Sequence, residues 1–177
     1  MKQPSTFTLS ELPTPIGVML VATDDQDRLR VLDWTTHTDR MLRLIRRLYG
    51  ADGVRLLEGE AAPAIVENLN AFFAGDLSAL DTIPTETGGT PFQREVWAAL
   101  RTITAGETWS YKQLADHIGR PSAVRAVGFA NGSNPIGVVI PCHRVIGADG
   151  SLTGYGGGLD RKAWLLTHEG ARFKAAA

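Results

Sequence analysis

The chain has 177 residues, of which 44% are hydrophobic, enough to bury a core as one domain or as two small ones. Its single cysteine excludes an internal disulfide, and its four histidines lack the spacing of a zinc site. No apolar run reaches the roughly 18 residues of a membrane span, and no signal-peptide pattern is present. We therefore expect a cytoplasmic protein that uses no metal and no other cofactor.

The net charge of −1 conceals an uneven distribution along the chain. Residues 1–90 carry a net charge of −5, and residues 91–177 carry a net charge of +4. The basic half indicates contact with a polyanion, although its excess is too small for binding that rests mainly on counterion release. A chance imbalance between solvated faces explains this uneven charge distribution equally well.

The first half of the chain predicts a small α+β domain at 1–80. Alternating polar and apolar residues predict antiparallel strands at 6–12, 16–23 and 28–34, and apolar residues at helical spacing predict helices at 37–49 and 62–74. The arginines of the first helix are typical of a solvated face. Residues 81–89 have no periodicity and predict a linker to a second domain at 90–177.

The second half predicts a mainly helical domain. Two capping boxes, Thr90 with Gln93 and Ser110 with Gln113, predict helix starts. A helix at 110–118 followed by another at 121–131 has the spacing of a helix-turn-helix. The second of these helices is rich in small residues, which makes it thin, and Arg125 is its only charged side chain. It suits close, sequence-independent docking against a DNA groove, with packing against neighbouring helices as the alternative.

The only cysteine, Cys142, lies in an apolar stretch at 136–146 that predicts a buried strand interrupted at Pro141. A lone cysteine of this kind is often a small core residue. The polar His143 and Arg144 favour a second interpretation, in which their positive charge stabilises the reactive thiolate. Because neighbouring side chains on a strand point to opposite faces, Cys142 and His143 can cooperate only across a turn or through a bridging water.

Three features flank this stretch. Asn134 lies in the turn before it and can bond its side chain to the backbone. A glycine-dense loop at 151–158 follows, and loop glycines let a backbone approach a ligand closely, which predicts a pocket wall. A last helix at 160–168 ends beside Glu169, whose terminal position alone predicts an exposed side chain.

The motif Pro141-Cys142-His143-Arg144-Val145 resembles the active-site sequence of the O6-alkylguanine-DNA alkyltransferases, repair proteins that move an alkyl group from guanine to their own cysteine. The stretch 90–170 is similar to the whole active-site domain of that family. Its further motifs are Ser110-Tyr111, Arg125-Ala126-Val127-Gly128, Asn134-Pro135, Gly154-Tyr155 and His168-Glu169-Gly170. The first half is less specifically similar to the ribonuclease-H-like domain of the family. The resemblance thus implies an α+β protein with a ribonuclease-H-like domain and a winged-helix, helix-turn-helix domain.

The resemblance also implies the chemistry of a single-use methylated-DNA--[protein]-cysteine S-methyltransferase. Cys142 would be the nucleophile and would irreversibly accept the alkyl group of O6-alkylguanine, and of O4-alkylthymine. His143, acting through a water and oriented by Glu169, would take the thiol proton. Asn134 would brace the cysteine segment, and Tyr111 would place its phenol near the purine.

The implied partner is double-stranded DNA, bound through the minor groove with the damaged nucleotide flipped out and Arg125 filling the stack. The implied DNA contacts are Tyr111, Ser122, Arg125, Ala126 and Gly128, and the implied base pocket is formed by Val145, Tyr155, Gly156 and Gly157. Relatives often carry serine or alanine where this chain has Gly156, so that position offers a backbone donor without a hydroxyl. The resemblance leaves open whether several copies assemble cooperatively along DNA, and the zinc ligands of some relatives have no counterparts here.

Two other functions fit the residues. A lesion sensor on the same fold would bind DNA without chemistry, although family members of that kind lack the cysteine. A multiple-turnover thiol hydrolase would use Cys142, His143 and Glu169. Product counting separates the three, since the transferase takes up one alkyl group per molecule, the sensor none, and the hydrolase releases many.

Overall fold

The computed structural model describes residues 3–175, and the chain divides into two compact units, Met1–Gly89 and Thr90–Ala177. The combination of a small sheet with helices confirms the α+β class. Within residues 3–175, no helix is long and apolar enough to cross a membrane. The same residues contain no cluster of three or more His, Cys, Asp or Glu side chains placed to hold a metal ion.

The first unit is built on a four-stranded sheet. Its strands are β1 (Ser5–Thr14), β2 (Gly17–Thr23), β3 (Leu29–Trp34) and β4 (Val54–Glu58), in the order β3-β2-β1-β4. The three expected strands are confirmed and pair in antiparallel fashion. β4 was not expected, and because it lies parallel to β1 the sheet is mixed rather than purely antiparallel. Its sequence gave no signal because its residues are only half-buried or exposed and include one β-branched side chain.

Two helices of this unit match the expected segments. A 3-10 turn (Thr35–His37) leads into α1 (Thr38–Tyr49), and α2 spans Pro63–Phe73. Met41 and Ile45 of α1 pack into the core beside Phe7. The arginines of α1 do not all lie on a solvated face, since Arg40 donates to the buried carboxylate of Asp33 at 2.6 Å.

Residues 81–89, expected to be a linker, belong to the first unit. The backbone N–H of Leu29 donates to Pro84 O at 2.8 Å, and that of Glu86 donates to Leu29 O at 3.1 Å. Ile83 is buried in the same segment. The segment thus covers part of the outer edge of β3, which would otherwise present unpaired backbone groups. Such pairing leaves no periodic pattern in the sequence.

The second unit contains four helices and a short parallel pair of strands among the described residues. The helices are α3 (Pro91–Leu100), α4 (Tyr111–His117), α5 (Val124–Gly132) and α6 (Leu159–His168), and the strands are β5 (Trp109–Ser110) and β6 (Val145–Ile146). Both expected capping boxes are formed. The indole N–H of Trp97 in α3 donates to Ala130 O at 2.8 Å, and this buried hydrogen bond joins α3 to α5.

The second helix of the predicted helix-turn-helix starts later than expected. Residues 121–123 form a turn instead of the first helical turn, because the N–H of Ala123 bonds to Arg120 O at 2.9 Å. Ser122 is therefore exposed in the connection and lies outside α5. Gly119 has a φ of 71°, a conformation that glycine adopts without strain, and it ends α4 as expected.

Thr90→Ala should lower the free energy of unfolding by about 1 kcal/mol, because it removes a cap that satisfies the Gln93 N–H. Chemical denaturation of the wild type and the variant measures this loss. Thr82→Ala, at an exposed position with no helix to cap, is the matched control. An equal loss in both variants would contradict the capping role.

Candidate active site

Cys142 begins a single turn of 3-10 helix, Cys142–Arg144, and does not lie on a strand. The apolar residues before it form turns, in which Val139 N bonds to Gly137 O at 2.8 Å and Ile140 N bonds to Ile136 O at 3.0 Å. The strand prediction at 136–146 is therefore wrong except for the two residues of β6. The stretch is nevertheless buried as expected, and Cys142 is only 7% exposed.

Asn134 explains why this β-branched stretch turns. Its Nδ2 donates to Ile140 O at 2.7 Å, and its Oδ1 accepts from Ile136 N at 3.0 Å. Such local side-chain bonds give the backbone an alternative to a strand ladder. At the centre of the turn, Val138 has a φ of 69°, which is rare for a β-branched residue and costs about 1–3 kcal/mol. The complete burial of Val138 and the two bonds of Asn134 hold this strained turn in place.

A buried carboxylate, Glu169, joins the residues that follow the cysteine. His143 is fully buried, and its Nε2 lies 2.9 Å from Glu169 Oε1. Arg144 donates to both oxygens of the same carboxylate, from Nε at 3.0 Å and from Nη2 at 2.8 Å. Glu169 is 5% exposed, so the exposed position expected from its place in the sequence is wrong. The structure brings His143 and Glu169 together, as the resemblance implied.

The electrostatics of this cluster define the protonation of the imidazole. Burial would raise the pKa of Glu169, but the His143 ring and the Arg144 guanidinium outweigh it and hold that pKa at about 2. Burial lowers the pKa of His143 below its ordinary 6.5, although Glu169 partly opposes this shift. Because an ionised carboxylate only accepts hydrogen bonds, Nε2 of the neutral ring carries the proton. Nδ1 is then unprotonated, and it has no hydrogen-bond partner among residues 3–175.

The positive charge near the cysteine comes from a residue that was not predicted. His143 is neutral, and the guanidinium of Arg144 is neutralised by Glu169, so these two do not supply it. Lys162 of α6 is fully buried, and its Nζ donates to Val145 O at 2.6 Å and to Thr153 O at 3.2 Å. Burial lowers the pKa of Lys162 to about 8, and attraction to the Cys142 thiolate partly offsets this shift.

The sequence did contain a signal for Lys162. It stands three and four residues before Leu165 and Leu166, both of which are fully buried. Residues at this spacing share one face of a helix. A lysine on the apolar face of α6 therefore predicts a buried ammonium with a specific partner.

The glycine-dense loop approaches the cysteine segment from one side. The hydroxyl of Tyr111, the first residue of α4, lies 2.8 Å from Thr153 Oγ1. The ring of Tyr155 meets the His143 ring edge-on, with 6.4 Å between centroids. Gly156 is half-buried, and buried Gly157 accepts a bond from Arg161 through its carbonyl. Val145, whose N–H donates to Cys142 O, is fully buried beside them.

Four of the five predicted DNA-contacting residues lie on α5 or in the turn before it, and the fifth, Tyr111, is the first residue of α4. Arg125 and Ala126 are exposed on α5, and Gly128 is half-buried against the Tyr111 ring. The expectation that α5 is thin is wrong at one position, because Phe129 is 76% exposed on the same helix.

Comparisons with known proteins identify the family that this chain resembles in sequence and fold. A sequence model of the DNA-binding domain of 6-O-methylguanine DNA methyltransferase matches residues 91–171. The methylated-DNA--protein-cysteine methyltransferase of Shigella flexneri is 51% identical over 160 residues, covering 90% of this chain and 94% of the relative. That of Mycolicibacterium paratuberculosis is 54% identical over 129 residues, covering 72% and 78% of the two chains.

A solved structure extends the similarity to the fold. The crystal structure of Mycobacterium tuberculosis OGT in complex with DNA matches with a TM-score of 0.75 and 42% identity, covering 93% of this chain and 92% of that one. The sequence and fold matches thus define a DNA-binding protein, and its one cysteine is buried. The chain belongs to the methylated-DNA--protein-cysteine methyltransferase family.

Asn134→Ala should lower the free energy of unfolding by about 2 kcal/mol, because it leaves the buried Ile136 N–H without a partner and removes one of the two bonds to the Ile140 carbonyl, which keeps the bond from Cys142 N–H. Chemical denaturation measures the loss. Asn70→Ala, which changes an exposed asparagine of α2, is the matched control and should be nearly neutral. Equal stability of Asn134→Ala and the wild type would show that these bonds do not maintain the turn.

Proposed function

We propose that this protein repairs DNA by moving the alkyl group of O6-alkylguanine to the sulfur of Cys142, once per molecule. The observation that carries the proposal is the buried Cys142–His143–Glu169 arrangement in a chain of this family. The activity is that of a methylated-DNA--[protein]-cysteine S-methyltransferase.

The first step is activation of the thiol. The unprotonated Nδ1 of His143 takes the proton of Cys142 through a bridging water, and the ionised Glu169 holds the ring in the required tautomer. The ammonium of Lys162 lowers the energy of the thiolate that results. Arg144 acts as a positioning residue, because its two bonds fix the carboxylate that orients the imidazole.

The second step is displacement at the alkyl carbon. The thiolate forms a sulfur–carbon bond while the bond from that carbon to guanine O6 breaks and leaves its electron pair on the oxygen. The phenol of Tyr111, next to Thr153, offsets the negative charge that develops on the departing guanine. The guanine leaves with a proton from its surroundings, and the protein retains a thioether.

The alkyl carbon reaches the sulfur only after the damaged nucleotide has left the base stack, which costs a few kcal/mol. The exposed Arg125 of α5 fills the space left in the duplex. Ala126, Gly128 and the preceding Ser122 let the backbone approach the minor groove closely. The extruded base is held by Val145, Tyr155, Gly156 and Gly157, which lie around the cysteine segment.

Several finer assignments belong to the same proposal. The sheet order β3-β2-β1-β4 supports a ribonuclease-H-like first domain, and the α4–α5 pair beside β5 and β6 supports a winged-helix second domain that carries the site. We also propose O4-alkylthymine as a second substrate and cooperative assembly of several copies on DNA. A nucleophilic thiol requires a reducing compartment, which supports a cytoplasmic location.

The transfer should be stoichiometric. The chain contains one cysteine, so no second thiol is available to regenerate the first. Incubation with excess duplex containing O6-methylguanine should therefore add one methyl group per protein, located on Cys142 by peptide mass spectrometry. Cys142→Ser should take up none. Release of many methyl groups per protein would establish a hydrolase instead, and DNA binding without any transfer would establish a lesion sensor.

The rate of transfer should depend on pH through His143. Because burial lowers the pKa of His143 below 6.5, the active neutral ring predominates at pH 6.5 and above, and protonation slows the reaction only at lower pH. Rates with the free base O6-benzylguanine, measured from pH 5 to pH 8, avoid the pH dependence of DNA binding. His143→Gln should react slowly, and its rate should no longer fall as the pH is lowered. A midpoint above pH 6.5 would contradict a desolvated imidazole.

A further inference from the structure

The most exposed large apolar side chain among the described residues stands on the helix proposed to enter DNA. Phe129 of α5 is 76% exposed, whereas Leu57 and Leu159 are 48% and 47% exposed. A ring exposed to water forgoes the favourable free energy of burying its apolar surface, so the exposure of Phe129 requires an explanation. Phe129 has no role in the proposed alkyl transfer.

The position of Phe129 on the helix gives it a defined neighbour. Phe129 follows Arg125 by four residues, a spacing that places two side chains on the same face of a helix. The exposed positions of α5 are Arg125, Ala126, Phe129 and Gly132, and the buried ones are Val127, Ala130 and Asn131. The exposed face therefore presents one cation and one aromatic ring separated by residues with little or no side chain.

This combination fits the minor groove of duplex DNA better than it fits a protein partner. A protein interface needs a contiguous apolar area, and the neighbours of Phe129 on this face are alanine, glycine and arginine. Minor-groove proteins insert isolated apolar wedges, phenylalanine among them, between base steps, while arginine enters the groove beside them. The net charge of +4 on residues 91–177 favours the same partner.

We propose that Phe129 is a second wedge, which enters the minor groove beside Arg125 and unstacks a neighbouring base step. Side chains four residues apart on a helix are separated by about 6 Å at Cβ, which is roughly two base steps of about 3.4 Å. The two side chains therefore meet the duplex at nearby steps. This inference rests on the proposed binding of DNA through α5, but it does not depend on alkyl transfer.

The test is binding of the 177-residue chain to an undamaged duplex that carries 2-aminopurine, a base whose fluorescence rises when it unstacks. Phe129→Ala should bind about tenfold more weakly, the order expected for losing one base–aromatic contact, and should give little of the wild-type fluorescence increase. Phe129→Trp should retain both, because the wedge is kept. Leu57→Ala, which removes an exposed apolar side chain from the first unit, should change neither.

Each contrary outcome overturns the inference. Wild-type affinity and fluorescence in Phe129→Ala would show that the ring does not contact DNA. A lower melting temperature of the free Phe129→Ala protein, with a proportional loss of reaction with free O6-benzylguanine, would show that the ring serves the fold. A wild type that shows no binding to the duplex would also remove the basis of the inference.

The inference and the proposed function fail in different measurements. If Cys142 takes up no alkyl group but Phe129→Ala still loses affinity and fluorescence, the transfer proposal fails and the wedge stands. If Cys142 is alkylated normally from duplex DNA by Phe129→Ala, with unchanged binding, the wedge fails and the transfer proposal stands.

Discussion

The rest of the site depends on the hydrogen bonds that the buried carboxylate of Glu169 accepts. A lone ionised carboxylate in the interior would be very costly, and here its oxygens accept bonds from the His143 ring and from two nitrogens of Arg144. The same bonds determine which imidazole nitrogen carries the proton. A residue placed after the last turn of α6 thus fixes the tautomer of the histidine that follows the cysteine in the sequence.

The proposed function needs a placed nucleophile and a surface that contacts DNA, and the two are formed by different physical means. The thiol segment is rigid, because Asn134 bonds the backbone on both sides of a turn that holds Val138 in an unfavourable conformation. The helix proposed to contact DNA is different, since small residues leave its backbone open to close approach while Arg125 and Phe129 are exposed on it. The proposed flipping of the substrate base needs both a rigidly placed nucleophile and close contact with the duplex.

The sequence predicted most of the helices and strands, because their apolar periods and capping boxes are local signals. It failed where strand pairing between distant segments, or the hydrogen bonds of one side chain, decide the structure. β4 is stabilised by its parallel pairing with β1, residues 81–89 by pairing with β3, and the stretch before Cys142 by the side chain of Asn134. The motifs identified the residues of the candidate site, but not the source of positive charge, which is Lys162 and not His143 or Arg144. That distinction requires knowing what each cation pairs with.

The burial of Cys142, which is only 7% exposed, has a consequence for a protein that is consumed by its own reaction. Soluble oxidants and small electrophiles react with cysteines in proportion to thiolate character and accessibility, so an activated but open sulfur would be spent on bulk chemicals. Burial restricts the sulfur to electrophiles that the pocket admits. The repair capacity of a cell is then set by the number of unreacted molecules and not by a turnover rate. Shielding of the sulfur keeps these molecules unreacted until a lesion arrives.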